Sequence, residues 1–415
     1  MSKKQLLVIC HDYPIIKKNA ESSLLKFQLN SIKKSFKKII LLPTVSLKNK
    51  NIVAGLEYEI IYNFRNFKIF TIVNFFKNFR LLIYDIKKIK FDKVYLQSII
   101  RSFSSYFKSI FLFTFIDDYF NNDDNIIKNT SIYSFWFNDF TLGALIFKKK
   151  YPKMKIFTGA HGHDLFAERH VGNRIPFRET SINLINNVIV CSIEGKKYLE
   201  KKYPRFKKKF KHVNSGISRK ETKAKSSNDK KFRILTLSRT HPVKRISYLL
   251  KVLKNLDSFS DFQMEYYHIG GGPELHGLIE LSKKLKFKKI QINFLGKISD
   301  LELENFFKKS PIDVFLNVSF SEGTCLALVE AMSYSVPVIV TEVGGNMSIA
   351  NYCKTGLSLH FDSNELIDYF KKIYYDNEFR EKLKSNSFNY WEKNHSSDSL
   401  SPKIENTFRV MCNLK

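Results

Sequence analysis

Apolar positions along this chain fall into two interleaved patterns. Short runs rich in β-branched and aromatic residues recur at 5–10, 38–42, 58–62, 93–97, 131–135, 155–158, 188–192 and 210–214. A second series follows at 232–238, 265–269, 290–295, 312–318, 336–340 and 357–360. Runs this short, bounded by Gly, Pro, Asn and Ser, predict buried strands. Longer stretches with helical spacing separate most of them. That alternation predicts an α/β fold, with parallel sheets carrying helices on both faces. The polar segment 218–231 (SRKETKAKSSNDKK) has no apolar period and predicts a linker between the two series. Residues 363–394 predict helix, the polar HSSDSLSP interrupts it, and a last helix is expected at 404–412.

Two helical stretches stand out in the first series. Residues 72–86 place apolar side chains at 72, 75, 76, 79, 82, 83 and 86, with Lys77, Asn78 and Arg80 between them. This stripe suits a core-facing helix or one lying on an anionic bilayer. Residues 106–116 (YFKSIFLFTFI) are a second candidate.

Length and charge sharpen the picture. A chain of 415 residues has room for two domains of about 200 residues, and 44% apolar content is globular. The net charge is +30. Residues 1–215 hold 39 Lys and Arg against 16 Asp and Glu, or +23, which leaves +7 for 216–415. A basic first half expects an anionic partner, either a membrane surface or an acidic ligand. A nucleic-acid binder is the rival class, but the charge is diffuse and no nucleic-acid motif occurs. Five scattered cysteines without metal spacing predict reduced thiols and a cytoplasmic protein. The apolar run near the N-terminus is too short for a signal peptide, and no run approaches 18 apolar residues, so no transmembrane helix is expected.

The candidate chemistry lies at strand ends. Residues 317–346 (NVSFSEGTCLALVEAMSYSVPVIVTEVGGN) read as strand end, loop, helix at 325–334, strand and Gly-Gly turn. A loop with Gly323 and Thr324 feeding a helix N-terminus presents free backbone N–H groups and a positive dipole end, which suit a phosphate or sugar oxygens. Glu322 and Glu330 frame that helix start. They are either a ligand-binding pair or a dipole partner and a solvated face residue. Arg239 and Lys244, beyond the strand at 232–238, suit a diphosphate or form a solvated turn. GAHGHDLFAER (159–169) also follows a strand. Its His161 and Asp164 could position a ligand, but no third ligand has spacing for a metal.

The stretch SEGTCLALVEAMSYSVPVIVTEVGG resembles the donor-site motif of family 4 retaining glycosyltransferases. SRTHPVKR resembles the segment whose Arg and Lys hold the donor diphosphate, here Arg239 and Lys244. IGGGPE, with Gly272, resembles the turn under the nucleotide, and FLGKI, ending at Ile298, the loop that touches the base. GAHGHDLFAER and YSFWFN (133–138) resemble the motif whose histidine, here His161, lies near the transferred sugar. Gly159 stands where the family has Arg. HDYPIIKKNAESSLLKFQLNSI resembles the first loop and helix, with Glu21 as its acidic residue.

The resemblance implies a GT-B architecture of two Rossmann-like βαβ domains facing each other across a cleft. One would be an acceptor-side domain of 1–217 with 396–415 packing back on it. The other, 232–395, would bind the donor. It implies a retaining hexosyl transfer from a UDP- or GDP-linked sugar, with His161 and Glu322 at the reacting sugar and Glu330 on the ribose. Gly323, Thr324, Cys325 and Leu326 would meet the donor through the helix start, and Glu21 and Asp164 would lie on the acceptor side. No D-x-D sequence occurs, so no metal cofactor is expected. A glycan or lipid-linked acceptor of a bacterial cell-surface polysaccharide, no nucleic acid, and a peripheral place on the inner membrane face complete the expectation. An epimerase of the same fold is the enzyme alternative.

Overall fold

The computed structural model describes residues 4–15, 20–45, 47, 58–61, 70–217 and 222–414. Parts of three expected segments lie outside these: 16–19 of the first-loop motif, Tyr62 of the third strand and 218–221 of the linker. The chain forms two compact units, Met1–Val213 with Ser401–Lys415, and Asn214–Leu400.

In the first unit the strands are β1 (Gln5–Cys10), β2 (Lys38–Pro43), β3 (Glu59–Ile60), β4 (Thr130–Ser134), β5 (Lys155–Ala160), β6 (Asn187–Val190) and β7 (Phe210–His212). They form one sheet in the order β3-β2-β1-β4-β5-β6-β7, with every pair parallel. Leu6, Leu7, Val8 and Ile9 of β1 are all buried, as expected for a strand covered on both faces. Residues from Ser401 onward belong to this unit. The Phe408 ring stands 5.0 Å from Tyr133 and 5.2 Å from Phe157, and Lys4 Nζ donates to the Cys412 carbonyl at 2.8 Å.

The second unit contains β8 (Lys231–Leu237), β9 (Gln263–Ile269), β10 (Ile290–Gly296), β11 (Val314–Asn317), β12 (Val338–Thr341) and β13 (Gly356–Leu357). These form a second parallel sheet in the order β10-β9-β8-β11-β12-β13. In both sheets the strand order reverses direction at the first strand of the series, between β1 and β4 and between β8 and β11. In parallel sheets, ligands bind beyond the carboxyl ends of the strands at such a reversal. Residues 11–12 and 135–136 of the first unit, and 238–240 and 318–325 of the second, occupy those places.

Three expectations are corrected. Residues 93–97 form no strand, and the helix Tyr95–Phe120 begins inside them. Their apolar positions continue through Ile100, Phe103 and Phe107 with helical spacing, which outweighs a five-residue run. The stripe at 72–86 is two helices, Phe70–Lys77 and Phe79–Ile86, parted at Asn78, whose Nδ2 donates to the Asn74 carbonyl at 3.0 Å. The expected interruption before the last helix shrinks to Ser396, between helices Asn377–His395 and Ser397–Met411. Ser396 Oγ accepts from Ser399 N–H at 3.3 Å, so the serine-rich stretch is a helix cap rather than a loop. Among the described residues, one helix, Tyr95–Phe120, is long and apolar enough to cross a membrane, and half of its apolar window is buried in the first unit.

Candidate functional site

The second unit builds its site on the loop between β11 and the helix Leu326–Ser333. Glu322 lies deep in that loop. Its Oε1 accepts from Lys244 Nζ at 2.5 Å, from Ser319 Oγ at 2.7 Å and from Asn317 Nδ2 at 3.3 Å. Lys244 closes the short helix Pro242–Lys244 after β8, so this contact joins the two strands at the sheet's reversal. The loop is fixed on every side. Phe320 N–H donates to the Val243 carbonyl at 2.8 Å, Thr341 Oγ1 to the Ser319 carbonyl at 2.7 Å, and Gly345 N–H to the Glu322 carbonyl at 3.1 Å. Gly344 has φ +48°, and a Cβ there would stand 2.0 Å from the Glu322 carbonyl oxygen. No other residue allows this approach.

The neighbouring turn after β9 is built the same way. Gly272 has φ +154°, and a Cβ there would meet the Thr240 carbonyl at 2.7 Å. Backbone packs on backbone here, leaving Arg239 exposed at the end of β8. Ile298 is half-buried and packs against the core under this edge.

The helix Leu326–Ser333 begins at Cys325, whose side chain has no oxygen to cap the first-turn amides. Gly323 and Cys325 are buried, and Thr324 and Leu326 half-buried. Burial, with the charge of Glu322 adding, pushes the Cys325 thiol up to about 11. It is therefore a protonated, inert group, held by Asn317 Nδ2 at 2.9 Å. Glu330 lies half-buried in the second turn.

In the first unit His161 follows β5. Its ring stacks on Phe135 at 4.4 Å, with Trp136 edge-on at 5.0 Å, and Nε2 lies 3.1 Å from the Phe135 carbonyl. A carbonyl only accepts, so Nε2 carries the proton and Nδ1 is the acceptor. Nδ1 is buried and has no hydrogen-bond partner. Burial lowers the His161 pKa, which keeps the ring neutral. Gly159 has no room for a side chain: a Cβ would stand 2.6 Å from the Phe135 carbonyl oxygen. An Arg is therefore incompatible with this strand end.

Asp164 takes a different place from the one its motif suggests. Its carboxylate accepts from the backbone N–H of His161 at 2.8 Å, Gly162 at 3.2 Å and Phe137 at 2.9 Å. It shapes the loop and presents little to a ligand. Arg178, which sequence reasoning overlooked, is buried beneath it. Its NH2 donates to the Asp164 and Phe137 carbonyls, and the guanidinium lies 3.7 Å from the Phe137 ring centroid. Glu21 sits in the helix Ala20–Ile32, with its side chain outside the described residues. Among the described residues no three His, Cys, Asp or Glu side chains group as a metal site.

The structure thus gathers Lys244, Glu322 and the start of the Leu326–Ser333 helix in the second unit, with Arg239 at its edge. It places His161 on an aromatic bed in the first. Asn317 and Ser319, which orient Glu322, were visible only as a strand end and a loop serine.

Residues 218–390 match the family described as glycosyl transferases group 1. Protein CapJ of Staphylococcus aureus is 28% identical over 236 residues, which cover 55% of this chain and 58% of that protein. The chain therefore spans little more than half the length of that curated relative. Among solved structures, the apo form of the lipopolysaccharide outer core galactosyltransferase WaaB superposes with TM-score 0.66 at 14% identity, covering 97% of this chain and 98% of its own. HepE of Anabaena, solved with UDP and glucose, superposes with TM-score 0.64 at 14% identity over 98% of this chain and all of its own. Residues 218–390 are therefore similar to the glycosyl transferases group 1 family, and the chain has the two-sheet α/β architecture of the GT-B glycosyltransferases.

Proposed function

We propose that the protein is a retaining glycosyltransferase of family 4 that moves a hexose from a UDP- or GDP-linked donor to a cell-surface glycan or its lipid-linked precursor. The observation that carries this reading is the Lys244–Glu322 pair at the reversal of the second sheet, beside an uncapped helix start. Lys244, Arg239 and the first-turn amides form a cationic end for a diphosphate. They stabilise the charge that grows on it as the sugar leaves. This makes a divalent ion unnecessary. In transfer with retention, the bond from the anomeric carbon to the diphosphate oxygen breaks and one to the acceptor oxygen forms on the same face. The acceptor's proton ends on the departing diphosphate.

In the first unit the unpartnered Nδ1 of His161 accepts a hydrogen bond from a substrate hydroxyl. Glu322 orients Lys244, and Glu330 receives the ribose hydroxyls. The galactosyltransferase likeness supports a cell-surface acceptor, and the UDP and glucose bound by HepE support a nucleotide-hexose donor. A cytoplasmic site of action follows from such a donor.

The test is release of nucleoside diphosphate from a panel of nucleotide sugars in excess EDTA, with a glycan acceptor mixture. Release with one donor, and a product of unchanged anomeric configuration, is expected. Activity abolished by the chelator and restored by Mn2+ would contradict the metal-free mechanism. A new sugar made without acceptor would point to an epimerase.

A further inference from the structure

The helix Tyr95–Phe120 is turned inside out over its first four turns. Ser98, Ser102, Ser105 and Ser109 are buried, while Leu96, Ile100, Phe103 and Phe107 are exposed. Steps of three and four place the serines on one face and the large apolar side chains on the opposite one. A helix that borders water has the reverse arrangement. The inward serines are satisfied: Ser102 donates to Asp85 at 2.9 Å and Ser109 to the Asp139 carbonyl at 2.7 Å. Ser109 also lies where Gly143 lets the helix Asp139–Lys150 come close. The arrangement is thus fixed by packing, and the apolar face is left outward.

This face is the centre of a larger patch. Of the 21 exposed large hydrophobic residues among those described, 11 lie between Phe70 and Phe107. Phe91, in the connection before the helix, is 92% exposed, and Phe76 is 69% exposed. Such clustering marks a surface that something covers. The same segment, 70–108, carries eight Lys and Arg against two Asp. One of those two, Asp85, is buried and paired with Arg174. Lys90 and Lys93 bracket Phe91, and Lys77, Arg80, Lys87 and Lys108 are also exposed.

We infer that this face seats in the headgroup boundary of an anionic bilayer. Exposed rings and aliphatic side chains enter the acyl edge, and the surrounding lysines meet lipid phosphates. A second copy of the chain fits less well, because a two-fold contact would press one cationic rim against its twin. The helix also anchors the loop that follows His161. Arg101 NH2 lies 2.7 Å from His170 Nδ1, and Arg174 NH1 donates to Ser102 Oγ at 3.0 Å. The bilayer face and the His161 loop therefore share one helix, which suits an acceptor tethered to lipid. The inference does not rest on the transfer reaction: Arg239→Ala, at the donor end, should bind vesicles like wild type.

The experiment is sedimentation of the full-length protein with phosphatidylcholine vesicles, with and without about 30% phosphatidylglycerol. Binding to the anionic vesicles only is expected. It should weaken at about 0.5 M salt without vanishing, because apolar contact is unscreened. The double substitution Ile100→Glu with Phe103→Glu should reduce partition at least about tenfold. Val410→Glu, at an exposed apolar residue elsewhere, should not. Circular dichroism checks the fold, and Lys90→Glu with Lys93→Glu provides a second disruption in an exposed connection. Wild-type protein that ignores anionic vesicles, or folded variants that partition like wild type, would overturn the inference. So would a wild-type dimer that Phe103→Glu converts to monomer with no vesicle binding, which would make the face an interface between copies.

Discussion

Lys244 Nζ lies 2.5 Å from Glu322 Oε1, and through this contact the turn after β8 holds the loop after β11. The two side chains differ in exposure, with 21% for Lys244 and 6% for Glu322. Lys244→Met takes this cation from a buried carboxylate that also accepts from the neutral Ser319 and Asn317. Glu322→Gln leaves a lysine that can still reach water. The first should therefore lower stability more than the second. Urea unfolding of both singles and the double should give a coupling of about 1–3 kcal/mol. Additive losses would show that the contact holds nothing.

Gly344→Ala should displace the Glu322 loop. The added Cβ would stand 2.0 Å from a carbonyl oxygen, at a positive φ that L-residues avoid. Strain of this kind costs about 1–3 kcal/mol. A fall in melting temperature together with weaker nucleotide-sugar binding is expected. Gly277→Ala, where a Cβ meets nothing within 4 Å, is the matched control. Equal behaviour of the two variants would mean the loop tolerates the shift.

Much of the fold was legible because buried parallel strands write themselves as short apolar runs. β1 was expected at the residues where it stands, and β8 and β10 within one residue at each end. The failures have physical causes. At 93–97 an apolar run belonged to a helix, and only the longer spacing distinguishes the two. At Ser396 a polar cluster was a cap. Periodicity also cannot say which face of a helix is inside. An inverted helix such as Tyr95–Phe120 has the same spacing as an ordinary one, so only packing against Gly143 and Asp85 reveals the orientation. In the site, residues at strand ends were readable, but their partners were not. Lys244 and Glu322 are 78 positions apart, and Asp164 reads as a ligand until its backbone amides are seen.

Acid should weaken the native state through its buried histidines. Burial pushes His268 down to about 4, and its Nδ1 lies 2.8 Å from Thr236 Oγ1. Below the ordinary histidine pKa of about 6.5 the unfolded chain binds a proton that the folded site refuses. Stability is therefore intact above about 6.5 and falls as pH drops toward 4, by up to roughly 3 kcal/mol from this residue. His161 and His170 shift the same way, also by burial. Asp257 and Glu265, whose pKa values are lowered, add losses at the acid end. Urea midpoints at several pH values should show a shallower slope for His268→Asn than for wild type. Identical slopes would remove His268 from the account.

The central claim is that the second unit binds a nucleotide sugar at the end of β8 and the start of the Leu326–Ser333 helix. Calorimetric titration of the UDP- and GDP-hexoses into wild type, Arg239→Ala and Glu330→Ala tests it most directly. Each variant removes one charge-assisted partner, worth about 1.5–3 kcal/mol, or roughly ten- to a hundredfold in affinity. The expected result is tight binding of one nucleotide class by wild type and losses of that size in both folded variants. Affinities of both variants within a factor of about two of wild type, or no binding of any nucleotide sugar by wild type, would contradict the account.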